Sequence, residues 1–172
     1  SVQVERDIPT PDGQPRYDQQ RPALAIAAGR VYVAFGGLYG DCGPYRGSVV
    51  GIPLSGAGPM ISYVVPTPRE GAVWATGGPV TGPDGTMYVS VGNGSGTSFD
   101  DSDSVTALSP GLRRTGVFAP STWRHDNDND LDLGSTQPAL LPSGMLLADG
   151  KSGTAYLVKG AHLGGVGGQV VQ

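Results

Sequence analysis

One pattern recurs three times along this chain, and it constrains the fold more than any other feature. A proline precedes a short apolar run, a glycine turn follows, and then comes a longer run rich in β-branched and aromatic residues. The prolines are Pro22, Pro79 and Pro138, 57 and 59 residues apart. Gly29, Gly85 and Gly144 follow at similar offsets, and Ser48-Val49, Ser104-Val105 and Thr154-Ala155 open a third run in each copy. The middle copy is the clearest: Gly78-Pro79-Val80-Thr81, the turn Gly82-Pro83-Asp84-Gly85, Thr86-Met87-Tyr88-Val89-Ser90-Val91, a polar loop, then Ser104-Val105-Thr106-Ala107-Leu108. Apolar runs of this length, separated by Gly/Pro/Asp turns, read as strands joined in hairpins.

Each copy holds four such runs. The first has Arg21–Ile26, Arg30–Gly37, Gly47–Leu54 and Met60–Val65; the second ends on Thr115–Phe118; the third has Gln137–Leu141, Met145–Ala148, Thr154–Val158 and Gln169–Val171. Four strands per repeat at a period of about 40–60 residues is the mark of a β-propeller. The expectation is therefore an all-β chain of about three four-stranded antiparallel blades, near residues 21–66, 74–119 and 136–172. Residues 1–20 read as a connector holding one outer strand at Val2–Arg6. A β-sandwich with coincidental spacing is the competing architecture. A small twisted sheet cannot bury both faces alone, and propellers have four to eight blades. The chain is thus expected to be a segment of a larger seven- or eight-bladed propeller, with the remaining blades as its partners. The missing initiator Met agrees with a fragment or processed product.

Composition removes several other classes. With 29 Gly and 15 Pro in 172 residues, disorder has to be considered. However, 38% of residues are hydrophobic and gather in the runs, while Gly and Pro fall between them. The net charge is −4, with no basic patch beyond Arg113-Arg114, which argues against nucleic acid and anionic membrane surfaces. No run of 18 apolar residues exists to form a membrane-spanning helix. Cys42 is the only cysteine, so neither an internal disulfide nor a multi-cysteine zinc site forms. It reads as a loop or packing residue.

Phosphate-loop, dinucleotide-fold and Gly-x-Ser-x-Gly patterns are absent at the required spacing. One stretch carries possible metal chemistry, His125-Asp126-Asn127-Asp128-Asn129-Asp130-Leu131-Asp132. Its four carboxylates, Asp126, Asp128, Asp130 and Asp132, are the oxygen ligands a calcium ion takes. Two other readings stand beside this: a solvated acidic loop, and Asp130 and Asp132 tied to backbone amides. Asp100-Asp101-Ser102-Asp103 reads as solvated. Trp74 and Trp123 are candidates for stacking on a planar cofactor, or for burial between blades.

Several segments resemble bacterial secreted PQQ-like (quinoprotein alcohol dehydrogenase-like) β-propeller repeat proteins. They are Arg21-Pro22-Ala23-Leu24, Val31-Tyr32-Val33-Ala34-Phe35-Gly36, Gly40–Gly47, Trp74-Ala75-Thr76-Gly77-Gly78, Val91-Gly92-Asn93-Gly94, Asp130–Ser135 and Gly150–Leu157. The resemblance spans nearly everything from Gln20 to Gly168. It implies a secreted or periplasmic location and a larger parent. Quinoprotein dehydrogenases carry adjacent cysteines over PQQ, and Cys42 has no such neighbour. Their docking motif is only echoed by Ala148-Asp149-Gly150-Lys151-Ser152-Gly153. The favoured expectation is a non-catalytic extracytoplasmic binding or scaffold module, without PQQ. The alternative is part of a PQQ-dependent alcohol or sugar dehydrogenase.

Overall fold

The structure, a computed structural model, describes residues 10–171. The strand expected at Val2–Arg6 lies outside the described residues. The runs read from the sequence form strands. The first copy gives β2 (Ala25–Ala27), β3 (Arg30–Gly37), β4 (Ser48–Pro53) and β5 (Ile61–Val64), with β1 (Asp18–Gln19) added from the connector. The second gives β6 (Val80–Thr81), β7 (Met87–Val91), β8 (Ser104–Leu108) and β9 (Arg114–Ala119). The third gives β10 (Ala139–Leu140), β11 (Met145–Asp149) and β12 (Ala155–Lys159), and β13 (Gly165–Val166) follows.

These strands make three antiparallel meanders, none of them closed. Sheet I runs β1-β3-β4-β5, with β2 also on β3; sheet II runs β6-β7-β8-β9; sheet III runs β10-β11-β12. The fourth run of the third copy touches sheet III as a bridge: Leu157 N–H donates to Val171 O at 2.9 Å and Val170 N–H to Leu157 O at 2.7 Å. Sheet III is thus three-stranded rather than four-stranded, and two additions depart from four strands in the other sheets. β1 lengthens the β3 edge, pairing Asp18 with Gly37 and Gln19 with Gly36. β13 returns to sheet II and pairs in parallel with β9, Gly165 with Phe118 and Val166 with Ala119. The reversal that carries it there passes through Gly164, Gly165 and Gly167, all at positive φ, a region open to glycine.

The repeated turns form as their residues dictate. Gly85 (φ 81°) and Gly144 (φ 77°) occupy the same place in two matching loops. In these loops Gly85 N–H donates to Gly82 O, and Gly144 N–H donates to Leu141 O. Sheet I uses a tighter two-residue turn, with Ala28 and Gly29 both at positive φ between the paired Ala27 and Arg30.

The sheets stack face to face. Tyr32, Ala34 and Val49 of sheet I meet Met87, Val89 and Val91 of β7, with Leu108 beside them. On the other face of sheet II, Tyr88, Val105, Ala107 and Phe118 meet Leu146, Ala148, Tyr156 and Val158 of sheet III. β7 and β8 are therefore buried along their whole length. The strand period of two sends alternate residues into the two cores.

The first half of the stretch read as an acidic loop, residues 125–128, lies in the helix α1 (Trp123–Asp128), and residues 129–132 form an irregular link to a 3-10 turn at Leu133–Ser135. The i,i+4 pairs of α1 hold it: Thr122 Oγ1 donates to Asp126 Oδ2 at 2.8 Å, and Arg124 pairs with Asp128 at 3.3 Å. Alternate residues on a helix stand about 200° apart, so the winding separates Asp126 from Asp128.

Candidate functional site

The repeats align not only in sequence but in hydrogen bonding, and that alignment builds the site. Counting seven residues from each turn glycine (Gly29, Gly85, Gly144) gives Gly36, Gly92 and Lys151, at or just past the ends of β3, β7 and β11. Gly92 N–H donates to Ala72 O at 2.9 Å, and Lys151 N–H donates to Asp132 O at 3.1 Å, the same bond one repeat on. Gly36 and Gly92 are hemmed in. A Cβ at Gly36 would stand 2.9 Å from Ala72 Cβ, and one at Gly92 2.7 Å from Asp132 Oδ1. Lys151 breaks the glycine pattern and sends its side chain outward.

A cleft of about 490 Å³ opens there, lined from all three sheets and their connections. Gln19, Gly37 and the loop Leu38–Asp41 come from sheet I, Trp74 from the I–II connection, Asn93 from sheet II, Asp130 and Asp132 from the II–III connection, and Lys151 from sheet III. The Arg21 guanidinium stands 4.9 Å from the Trp74 ring centroid, and Lys151 Nζ stands 5.5 Å from it. Lys151 also donates to Asp130 Oδ1 at 3.0 Å and to Asp132 Oδ2 at 2.5 Å. Burial alone would lower its pKa; these two carboxylate bonds outweigh burial and hold it above the usual lysine value. The same bond to Lys151 is the chief reason the Asp130 carboxyl stays below its usual range. Arg21 has no carboxylate partner among the described residues, and the Asn93 side chain makes no hydrogen bond among them. Tyr39 is fully exposed at the rim, while Tyr45 is buried with its hydroxyl on Asp41 Oδ1 at 2.5 Å.

Behind the cleft lies a buried acidic layer. Asp103 is wholly buried, and its Oδ1 accepts Leu133 N–H at 3.1 Å while Oδ2 has no partner. Burial, then the nearby Asp132 charge, pushes its pKa up to about 8. Asp132 is itself raised by burial, although Lys151 and the Asn93 N–H (2.7 Å to Oδ1) oppose the shift. Asp101 is buried against Arg114, whose Nη2 donates to Asp101 Oδ1 at 2.9 Å. The Asp100–Asp103 segment, expected to be solvated, is thus structural. Salt-bridging, and a backbone amide facing Asp103, compensate part of what burial costs.

The sequence-derived candidates divide. Trp74 lines the cleft, whereas Trp123 is not among its lining residues and packs edge-on against Phe99 at 5.3 Å. Asp130 and Asp132 reach the cleft and Lys151. Asp126 is buried on Thr122, and exposed Asp128 pairs with Arg124. Among the described residues, no group of three or more His, Cys, Asp or Glu is arranged to hold a metal. Cys42 and His125 are exposed. Arg21, Tyr39, Asp41, Asn93 and Lys151 escaped sequence reasoning because they meet only when three strand ends do; the repeat register was the one signal pointing to that end. A scan of protein-family models, a search of curated proteins and a search of solved structures each return no match for this chain.

Proposed function

We propose that the chain is a run of successive β-propeller blades serving as a non-catalytic, extracytoplasmic binding module, with the cleft at the strand ends as its binding face. One observation carries the reading. Tyr32 OH donates to Pro110 O at 2.7 Å, from sheet I to sheet II, and Tyr88 OH donates to Gly160 O at 3.1 Å, from sheet II towards the loop after β12. Both tyrosines stand three residues past a turn glycine. Both acceptors lie two residues past the strand residue paired beside them, Leu108 and Val158. The same inter-sheet bond is made twice at one register, as in a stack generated by a repeated rotation. At the third register stands Leu147, 42% exposed on the outer face of sheet III, with Val170 and Val171 also exposed. Leu54 O occupies the acceptor position of sheet I, and Ile26 on that sheet is 66% exposed. Apolar residues on an outer sheet face call for a further layer.

The residues around Trp74 weigh against the PQQ-dependent alternative. A stacking quinone needs a bare aromatic face and cations for its carboxylates. Here two cations already lie over the indole, and Asp41, Asp130 and Asp132 share the lining. These residues do not fit that cofactor, which favours the non-catalytic reading.

Sedimentation at rising concentration, with binding of a hydrophobic dye, tests the propeller reading. Association and dye binding that fall in an Ile26→Glu, Leu147→Glu variant are expected. A stable monomer that binds no dye would count against further blades.

A further inference from the structure

We propose that the cleft between the strand ends binds a neutral sugar ring through its hydroxyl groups. The inference rests on the binding-face reading and names its ligand class. The lining holds two cations, Arg21 and Lys151, against three carboxylates, Asp41, Asp130 and Asp132. An anion entering the cleft meets the carboxylates, and a cation meets the guanidinium. A neutral group that both donates and accepts suffers neither penalty, and a hydroxyl does both.

The groups left available match that requirement. Lys151 is occupied by Asp130 and Asp132, and one oxygen of Asp41 is occupied by Tyr45. The Arg21 fork has no ion pair among the described residues and stands over Trp74. It offers parallel donors at the spacing of two adjacent oxygens. The Asn93 side chain supplies both a donor and an acceptor. Exposed Asp41 carries a further oxygen with no hydrogen bond among the described residues, suited to accept from a hydroxyl. Tyr39 presents a whole ring to solvent at the rim, where the apolar face of a pyranose has a flat partner. The volume, about 490 Å³, lies within the range of small-molecule sites and exceeds a single ring, so a disaccharide is accommodated.

The test uses the full chain in a Trp123→Phe background, so that fluorescence reports Trp74 alone, together with saturation-transfer NMR on the sugar protons. The probes are glucose, galactose, N-acetylglucosamine and cellobiose, with glucuronate and glucosamine as charged controls. Saturable binding of a neutral probe is expected, weakened at least about tenfold by Tyr39→Ala and by Arg21→Ala. It should be unchanged by His162→Ala, in the separate cavity beside Gly160–Gly165. Tyr39→Phe, which keeps the ring, should retain most of it. Circular dichroism and melting of each variant separate lost binding from lost folding. No saturable response to any neutral probe overturns the proposal. So does binding confined to glucuronate or glucosamine, or neutral binding that survives both Tyr39→Ala and Arg21→Ala. A charged-probe response at the cleft leaves the binding-face reading standing, whereas sugar binding by a dye-silent monomer removes the propeller and keeps the ligand.

Discussion

Replacing Asp103 with Asn is expected to stabilise the protein at neutral pH. Asp103 is wholly buried, and one of its carboxyl oxygens has no partner. Burial and the neighbouring Asp132 raise its folded pKa from 3.8 to about 8, with Asp126 adding to the rise and the Leu133 N–H and Lys151 opposing it. A carboxyl with a raised folded pKa stays protonated in the native state while the unfolded chain releases its proton. Between about pH 4 and pH 8 the native state therefore binds more protons, and stability falls as pH rises. Three units of this window, from pH 4 to pH 7, amount to about 4 kcal/mol at 1.36 kcal/mol per unit. Above pH 8 the contribution is flat. Asn keeps the oxygen that accepts Leu133 N–H and carries no charge. Urea denaturation from pH 4 to pH 9 should show wild type and variant close together at pH 4, with the variant ahead by several kcal/mol at pH 8. Asp18, whose carboxyl is also pushed up by burial to about 6, titrates in both proteins and cancels in the difference. Parallel curves, or a variant less stable at every pH, would refute the reasoning.

Further outcomes follow from the packing and from the pairing of the carboxylates. Tyr88→Phe and Tyr32→Phe should each lose about 1 kcal/mol in chemical denaturation, because each removes one inter-sheet hydrogen bond and leaves a carbonyl with one partner fewer. Gly47→Ala should cost roughly 3 kcal/mol or prevent folding, since a Cβ there would stand 1.8 Å from Gly71 O. Gly111→Ala, whose nearest neighbour would be Ser109 Oγ at 3.7 Å, should change the melting temperature little. Calorimetric titration with calcium chloride should give equal heats for wild type and an Asp128→Asn, Asp130→Asn variant, because each carboxylate of that stretch already has a protein partner, Asp130 and Asp132 sharing Lys151; heat lost only in the variant would instead place a cation on those two side chains.

How far the sequence exposes the fold depends on how locally each feature is encoded. The hairpins are encoded locally: a turn glycine at positive φ, an alternating run and a second run suffice, so β2–β5, β6–β9 and β10–β12 fall where the spacing puts them. β13 is not, because Gly165-Val166 is too short and too glycine-rich to carry a strand pattern, and it forms only because the β9 edge is within reach. The acidic stretch misleads for a physical reason. Alternation in sequence looks like convergence on one ion, yet α1 sets Asp126 and Asp128 about 200° apart, while Asp130 and Asp132, past its end, turn to Lys151. Asp101 and Asp103 mislead in the opposite sense. Their charges read as solvated, and nothing nearby in sequence announces Arg114 or Leu133 as the groups that face them. The cleft lies at the far end of this scale. Gly36, Gly92 and Lys151 share one register, but only the third has a side chain to contribute, and its meaning appears once Trp74 and Asp132 are brought beside it. A repeat fold makes such sites in this way. Repetition fixes where the strand ends meet, and departures from the repeat, here a lysine where two glycines are packed shut, decide what that meeting point can hold.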